Sequence, residues 1–395
     1  MPSLRKLKIF LNVQGRFHAF DLARAFADRD DCIVHLATNY PKSVVENRFH
    51  CHPDRIYTNV FHGVSSRVAN YLGTRVNSFC EPYLHQSFGR FALRCAQSDN
   101  YDLVHTFSGV SEEVLRYRIV ECINTVVSGS AHILDQAQLL QEESTRIGSK
   151  IETPSKWMID REQREYELAD TVVVLSTFAY RSFIKRGFPA SRLALIPLGV
   201  NVRDFKATES ELAVRAKRVR SGAKLRVLLT GTFSAQKGAV DFCRVAEQLK
   251  DKCEFTVVGN ITPDAKPIVE KSTAKINFLP RVLPTELKRF YLENDIFLFT
   301  TIQDGFAAVI AQAFAAGLAI VSTENCGVVD VVGDNPLAWI VPIRSPELII
   351  ERLNWIDDNR QTVAGLMEVD SRQYVREWSD VAADFVELTK KLRYP

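Results

Sequence analysis

The chain has 395 residues, which is enough for two domains of ordinary size. Hydrophobic residues make up 46% of it and charged residues 25%, a composition that excludes a disordered, collagen-like or coiled-coil chain. Lys and Arg number 50 against 47 Asp and Glu, so the formal net charge is only +3 and no nucleic-acid partner is expected.

The eight cysteines show no C-x-x-C pair and no metal-ligand spacing, so we expect reduced thiols and a cytoplasmic protein. The apolar segment from Leu4 to Val13 is interrupted by Lys8 and has no small-residue cleavage site, so it predicts a strand and not a signal peptide. No apolar run reaches the roughly 18 to 20 residues that span a bilayer. Any membrane contact is therefore expected to be peripheral, at the inner face of the membrane.

Short aliphatic runs alternate with helix-length segments along the chain, the pattern of βα units around parallel sheets. In the first half the predicted strands are 8–13, 32–37, 103–107, 123–127, 171–175 and 193–196. In the second half they are 225–230, 254–258, 275–278, 296–300, 319–322 and 339–341. The two runs predict an α/β protein with two Rossmann-like domains, 1–200 and 201–375. An amphipathic pattern from Trp378 onward predicts a closing helix within 376–395.

Three segments of the second half lie at predicted strand ends, where parallel sheets bind their ligands. The first, 231–238, combines a glycine turn, Lys237 and the start of a helix near Ala239. Backbone N–H groups, the ammonium and the helix N-terminus together form a site for a phosphate. The alternative is an ordinary βα loop with a solvated lysine. The second segment, 277–287, either walls a cleft for a flat nucleotide base or is an ordinary connection.

The third segment, 303–317, runs from a strand end into an alanine-rich helix closed by Gly317. Asp304 is either a cap for the helix N-terminus or an acceptor for sugar hydroxyls. The second interpretation directs three backbone N–H groups at phosphate or sugar oxygens, those of Gly305, Phe306 and Ala307. Gln312 requires a polar partner in this apolar helix, either a core group or a ribose.

In this order the segments resemble the family 4 retaining glycosyltransferases of the GT-B fold, in which two Rossmann-like domains face each other across a cleft. The resemblance extends through the turn at 197–201, the late strand within 335–342 and the closing helix. It implies that the C-terminal domain binds a nucleotide-activated sugar and the N-terminal domain binds the acceptor. It also implies that the closing helix packs back on the N-terminal domain.

The resemblance further implies roles for individual residues. Lys237 would hold the diphosphate, Val282 would lie near the base, and Gln312 would approach the ribose. Gly15 and Arg16, after the first strand, would approach the donor phosphates across the cleft. The expected catalytic residues are Asp304, Lys237 and His132, the last being either near the transferred sugar or purely structural. The expected donor-binding residues are Gly15, Arg16, Thr232, Lys237, Arg281, Val282, Asp304, Gly305, Phe306, Ala307 and Gln312.

Four positions depart from the usual family pattern, which has Arg at Thr232, Glu at Asp304 and Gln312, and Pro at Ala319. Losing one charge-assisted contact to phosphate costs about 1.5 to 3 kcal/mol, on the order of 10- to 150-fold in affinity. Arg281 and Arg16 are the candidates to replace the missing cation.

The resemblance thus predicts a hexosyltransferase of glycoconjugate synthesis with a UDP- or GDP-linked sugar as co-substrate and a glycan, lipid-linked or small-molecule acceptor. No other cofactor is expected. No metal is expected either, because no D-x-D follows a predicted strand; the one at 28–30 lies in a polar turn. The alternatives are a non-catalytic GT-B scaffold that binds a partner, and a sugar-nucleotide epimerase or phosphorylase on the same fold.

The stretch from Arg67 to Arg94 mixes arginines and aromatic residues with the single acid Glu81. Its members are Arg67, Tyr71, Arg75, Phe79, Tyr83, Phe88, Arg90, Phe91 and Arg94. We favour a core-packing helix pair with solvated arginines. The alternative is a basic aromatic surface of the N-terminal domain that contacts an anionic membrane or a lipid-linked glycan.

Overall fold

The structure is a computed structural model that describes residues 5–72, 74–117, 122–369 and 375–393. It contains two parallel sheets, one in each half of the chain. Strands alternate with helices throughout, which confirms the predicted α/β architecture with two Rossmann-like units. Among the described residues, no helix combines the length and apolar character needed to cross a bilayer.

The first sheet has seven strands in the order β3-β2-β1-β4-β5-β6-β7. The strands are β1 (Leu7–Val13), β2 (Cys32–Thr38), β3 (Arg55–Thr58), β4 (Leu103–Phe107), β5 (Ile123–Ser128), β6 (Thr171–Val174) and β7 (Leu193–Leu195). Its helices are α1 (Ala19–Ala27), α2 (Val60–Tyr71), α3 (Thr74–Ala96), α4 (Glu112–Tyr117), α5 (Ile133–Ile147), α6 (Lys156–Leu168) and α7 (Thr177–Lys185). Short π and 3₁₀ turns stand at Val44–Arg48 and Ala190–Arg192.

The second sheet has six strands in the order β10-β9-β8-β11-β12-β13. The strands are β8 (Leu225–Thr230), β9 (Cys253–Val258), β10 (Ile276–Leu279), β11 (Ile296–Phe299), β12 (Ala319–Thr323) and β13 (Ala338–Val341). The helices of this half are α8 (Val202–Phe205), α9 (Glu209–Arg220), α10 (Ala239–Gln248), α11 (Lys266–Lys271), α12 (Pro284–Glu293), α13 (Ala308–Ala315), α14 (Val328–Val332), α15 (Pro346–Asp358) and α16 (Arg360–Glu368). The closing helix is α17 (Trp378–Arg393).

The central strands are buried because their sequences are aliphatic on both faces, as parallel sheets covered by helices require. In β1 the side chains of Ile9, Phe10 and Leu11 are fully buried. Each predicted strand is present within one residue at either end. The edge strand β3 was not predicted, since its four residues carry no long aliphatic run.

The closing helix α17 returns to the first sheet and packs against α1. The Phe385 ring lies 6.0 Å from that of Phe26, and Val381 belongs to the same buried cluster. The chain crosses back where the Val200 N–H donates to the Arg376 carbonyl, 3.0 Å away. The predicted return of this helix to the N-terminal domain is therefore confirmed.

The helix pair α2 and α3 differs from the core-packing pair that we favoured from the sequence. Phe88 is buried and Phe91 is partly buried, but Tyr71, Phe79 and Tyr83 are exposed. These three rings are outside the core because other residues, such as His62 and Phe88, occupy the sides of the two helices that face the domain. The side chain of Arg75 lies outside the described part of the chain.

Candidate functional site between the two sheets

Three loops meet where the two sheets face each other. Two of them follow β8 and β11 of the second sheet and lead into α10 and α13, and the third follows β5 of the first sheet and leads into α5. The carboxyl ends of parallel strands are the usual place for a ligand in open α/β sheets. Helix N-termini at the same edge add unpaired N–H groups and partial positive charge.

The loop after β8 is shaped by two glycines with positive φ, Gly231 at +112° and Gly238 at +74°. A Cβ on Gly238 would overlap the carbonyl oxygen of Thr300, so only glycine allows the close approach of this loop to the end of β11. The Ile302 N–H donates to the Gln236 carbonyl at 2.9 Å and ties the two loops together. Thr232 is exposed on the same loop.

Lys237 and Asp304, predicted from separate segments, meet in an ion pair between Nζ and Oδ2. Their side chains are 21% and 23% exposed, so solvent and ligands reach both. The other carboxylate oxygen of Asp304 accepts from the N–H groups of Phe306 at 3.2 Å and Ala307 at 3.1 Å. Asp304 therefore caps the loop that leads into α13. Three backbone amides were predicted to face a ligand, and two of them donate to Asp304 instead.

Gly305 brings the second domain against the first. A Cβ on Gly305 would overlap the Gly129 carbonyl oxygen and would lie 3.1 Å from the Ser130 Cα. Beside this contact, the Ser130 hydroxyl donates to the side-chain oxygen of Gln303. The tightest packing between the two loops thus lies directly beside Asp304.

We expect Gly305→Ala to hold the two loops apart and to lower kcat/KM by about 100-fold, because small misplacements of facing groups have effects of that order. Turnover and the radius of gyration from X-ray scattering should change together. The control is Gly365→Ala within α16, where the added methyl would meet no described atom within 4 Å apart from the local backbone of its own helix. That substitution should stabilise the helix by up to about 1 kcal/mol and leave turnover unchanged. Near-native turnover of Gly305→Ala would contradict the role of this contact.

Buried polar atoms without partners accompany these loops. Within the described part of the chain, Nε2 of the fully buried Gln303 has no hydrogen-bond partner. The same holds for Oε1 of Gln14 and Nε of Arg16 in the loop after β1. Unpaired buried polar groups are costly unless a ligand or an ordered water satisfies them.

His132 stands at the N-terminus of α5, where its Nδ1 accepts from the Leu134 N–H at 3.2 Å. The ring packs on Tyr166 and Phe183, with centroid distances of 5.4 and 4.8 Å. Burial lowers the pKa of His132 to about 4, so the imidazole is neutral near pH 7. These contacts give His132 a structural role as a cap, and its proximity to a transferred sugar stays a prediction.

Gln312 was expected to have either a core group or a ribose as its polar partner, and the structure contains a core partner. The hydroxyl of the buried Tyr291 donates to the Gln312 side-chain oxygen at 3.0 Å and is itself 2.8 Å from the Thr230 hydroxyl. This chain of hydrogen bonds connects α13 to α12 and to the end of β8. A contact of Gln312 with ribose stays a prediction.

The remaining predicted residues lie on loops around this edge. Gly15 has a φ of +97° and donates its N–H to the Asn39 side chain at 2.8 Å. The Arg16 guanidinium lies 3.4 Å from Asp21 and 4.5 Å from the centre of the Phe49 ring, so its described contacts are within the first domain. In the loop after β10, Arg281 is exposed and Val282 is half-buried against the cluster around Tyr291.

An ion-pair network between the domains was not predicted. Arg146 of α5 reaches Asp241 of α10 through two hydrogen bonds of 2.8 and 3.0 Å. The fully buried Glu143 accepts from Arg146 and also from Arg344, the latter at 2.9 Å. These partners are about 95 and 200 residues apart in the chain, so no local pattern reveals them.

Family models match both halves of the chain. Residues 16–204 match a model described as Glycosyltransferase Family 4, and residues 224–359 match one described as Glycosyl transferases group 1. The first range holds the loop after β5 and, in the loop after β1, Arg16. The second holds Lys237 and Asp304.

Two curated relatives are glycosyltransferases by name. The amylovoran biosynthesis glycosyltransferase AmsK of Erwinia amylovora is 21% identical over 232 residues, 54% of this chain and 54% of the relative. The GPI3 subunit of the phosphatidylinositol N-acetylglucosaminyltransferase of Saccharomyces cerevisiae is 21% identical over 230 residues, 55% of this chain and 50% of that protein. The chain thus aligns with about half the length of these relatives.

The structural neighbours cover nearly the whole fold. Sucrose-phosphate synthase from Thermosynechococcus elongatus superposes with a TM-score of 0.72 at 17% identity, over 98% of this chain and 99% of its own. Anabaena Alr3699/HepE, solved in complex with UDP and glucose, superposes with a TM-score of 0.66 at 14% identity, over 98% and 100%. With a family model on each half and this fold throughout, the chain belongs to the family 4 glycosyltransferases of the GT-B fold.

Proposed function

We propose that this protein transfers a sugar from a nucleotide diphosphate sugar to an acceptor hydroxyl, with retention of the anomeric configuration. The observation that carries the proposal is the Lys237–Asp304 pair, which lies at the ends of β8 and β11 and beside the loop after β5. A cation for a diphosphate and a carboxylate for sugar hydroxyls stand together at that point. They are the two groups that a nucleotide sugar requires side by side.

The ion pair also implies that donor binding includes a displacement step. Without ligand, the Lys237 ammonium is neutralised by Asp304. A diphosphate carries more negative charge than one carboxylate, and the N-termini of α10 and α13 favour anions at the same edge. The diphosphate would therefore displace the carboxylate from the ammonium. Asp304 would then be free to accept hydrogen bonds from the sugar.

Retention requires no nucleophilic side chain in the mechanism that we propose. The departing phosphate oxygen accepts the proton of the acceptor hydroxyl on the face from which it leaves. The protein contributes by stabilising the negative charge that develops on the diphosphate. Lys237 is the side chain placed for this purpose, with Arg16 as a second cation across the cleft.

The test of the proposal is calorimetric titration with UDP- and GDP-linked hexoses, followed by NMR of the product formed with an acceptor sugar. We expect one nucleotide sugar to bind and the product to keep the anomeric configuration of the donor. The solved complexes of Anabaena HepE with UDP-glucose make that donor the first to try. A product of inverted configuration would refute retention. Epimerisation of the nucleotide sugar would instead identify an epimerase, and consumption of phosphate in the reaction would identify a phosphorylase.

Turnover should persist in excess EDTA, because the positive charge is assigned to Lys237 and to two helix N-termini. The measurement is the initial rate before and after chelation. The contrary result is a rate that EDTA abolishes and that Mg²⁺ or Mn²⁺ restores. Full loss and restoration would replace the metal-independent mechanism with a metal-assisted one.

A non-catalytic scaffold is the second candidate, and one observation favours it. Gly305 and Gly129 are in backbone contact, and Arg146 and Arg344 fasten the two domains to each other. Such a closed arrangement suits a protein that binds a partner with a fixed surface. Slow hydrolysis of any nucleotide sugar by the wild type, absent in Lys237→Ala, would exclude this candidate.

A further inference from the structure

The helix pair α2 and α3 presents an apolar face to solvent. We call it the hairpin face and define it by Phe61, Val64, Val68 and Tyr71 of α2 with Phe79 and Tyr83 of α3. The exposure of these six side chains runs from 50% to 90%. Single exposed hydrophobic residues are ordinary, whereas a contiguous set on one element marks an interaction surface.

The spacing of these residues places them on common helix faces. The four residues of α2 recur at intervals of three, four and three, which is one side of an α-helix, and the two of α3 are four apart. Two residues join α2 to α3, and the helices contact each other as a hairpin. The six side chains are thus carried by one compact unit.

The opposite side of the hairpin is firmly attached to the domain. Gly63 packs so closely that a Cβ would overlap the Asn39 carbonyl oxygen. The buried His62 donates through Nε2 to the Leu84 carbonyl at 2.9 Å, which ties α2 to α3. His85 donates through Nδ1 to the Gly109 carbonyl at 2.8 Å. The exposure of the hairpin face is therefore a fixed feature of the fold.

These attachments also locate the hairpin. Asn39 follows β2 and Gly109 follows β4, so the hairpin stands at the carboxyl edge of the first sheet. Gly129 follows β5 at the same edge and there meets Gly305. The hairpin therefore stands at the edge of the first domain that also borders the cleft.

The charge around the hairpin face is positive. Arg67, Arg90 and Arg94 are exposed on the two helices. The one acid in the same stretch, Glu81, accepts a hydrogen bond from the Ser155 hydroxyl. Exposed aromatic rings beside arginines match the interfacial zone of an anionic bilayer, where rings lie at the headgroup level and basic residues meet lipid phosphates. A second copy of this chain would instead bring like charges together.

We propose that the hairpin face docks on an anionic lipid bilayer and that the acceptor is a glycan carried by a lipid in that bilayer. The inference rests on the proposed function for the acceptor, whereas the docking itself stands on the exposed face and its charge. Docking places the cleft beside the headgroups. The reacting hydroxyl of a lipid-carried glycan then enters from the membrane side while the nucleotide sugar enters from solution.

The experiment is co-sedimentation of the full chain with vesicles of phosphatidylcholine alone and of an equimolar mixture with phosphatidylglycerol. We expect binding to the mixed vesicles, weakened about tenfold or more by Phe79→Ser and again by Phe61→Ser, because each removes a buried ring from the interface. Arg90→Gln should weaken binding to the mixed vesicles about fivefold. The matched control is Val214→Ser on α9, a residue 64% exposed on the second domain, which should bind as the wild type does.

Equal binding of the wild type and of Phe79→Ser, or no binding of the wild type to either vesicle, would overturn the inference. Sedimentation equilibrium tests a different occupant of the face. A wild-type dimer that dissociates in Phe79→Ser would also overturn the inference and would assign the hairpin face to a second copy of the chain. Titration of the same variants with the nucleotide sugar separates the two proposals. If the protein binds the nucleotide sugar but does not bind vesicles, membrane docking is refuted and the proposed function stays intact.

Discussion

Lys237→Ala is expected to lower kcat/KM for the nucleotide sugar by about 100- to 1,000-fold, the effect of removing one group that stabilises developing charge. The ammonium lies in the loop after β8, where solvent reaches it, and among the described residues the one core group that it contacts is the Phe299 ring, whose centre is 5.8 Å away. Its removal also ends the ion pair with Asp304. Because both side chains are only about one-fifth exposed, that loss should reduce the free energy of unfolding by roughly 1 to 3 kcal/mol.

The measurement compares initial rates and melting temperatures of the variant with those of Lys250→Ala. Lys250 is an exposed lysine of the same domain at the end of α10, and its own substitution should change neither quantity. Lys237→Arg keeps the charge on a longer and planar group, so it should recover part of the lost rate. A near-native rate of Lys237→Ala would remove this residue from the donor site.

The strands could be predicted from the sequence because buried parallel strands are short, aliphatic and regularly separated. β8 and β11 show this pattern, and their ends place Lys237 and Asp304 at one edge before any distance is known. β3 escaped prediction because Arg55–Thr58 is a short edge strand held by its neighbour β2. Its existence depends on pairing, which one segment alone does not reveal.

Long-range partners were beyond sequence reasoning. Gln312 clearly required a partner, but the Tyr291 hydroxyl comes from a different helix and reaches it only in the folded chain. The ion pair of Arg146 with Asp241 joins two domains and depends on how they are oriented. Such contacts are set by tertiary packing, whereas residue spacing reports the local periodicity of a helix or strand.

The aromatic residues of α3 show the same limit in another form. Phe88 is buried and Phe79 is exposed, although both are aromatic residues of one helix. Apolar residues on two sides of a helix predict burial by default, since periodicity does not say which side meets the sheet. The hydrogen bonds of His62 and His85 fix which side of the hairpin faces the domain, and the side with Phe79 is left in solvent.

Gln312→Ala should lower the free energy of unfolding by about 0.5 to 1.5 kcal/mol, because the buried Tyr291 hydroxyl loses one hydrogen bond and keeps the one with Thr230. Gln312→Glu retains an acceptor oxygen at the same place and serves as the control for this packing role. If Gln312 also contacts ribose, Gln312→Ala should weaken the nucleoside diphosphate and the nucleotide sugar to the same extent. Unchanged affinity for both would leave Gln312 with its core partner alone.

Asp304→Ala should weaken the nucleotide sugar and should not weaken the bare nucleoside diphosphate. The nucleotide sugar loses a carboxylate that accepts from its hydroxyls, so its affinity should fall about tenfold or more. The bare nucleoside diphosphate lacks those hydroxyls and gains a Lys237 ammonium that no longer has an internal partner, so its affinity should hold or rise. The ratio of the two dissociation constants is therefore the quantity to measure, by calorimetric titration of each ligand.

Asp304→Asn separates binding from capping in the same experiment. It keeps an oxygen for the N–H groups of Phe306 and Ala307, while Asp304→Ala leaves both without that acceptor and should cost about 0.5 to 2 kcal/mol of stability. If Asp304 only caps the loop, each of the two variants should change the affinity for both ligands by the same factor, because both ligands carry the diphosphate that meets the freed Lys237 ammonium. If Asp304 holds the sugar, both variants should lose affinity for the nucleotide sugar alone, because the amide cannot replace the charge of the carboxylate.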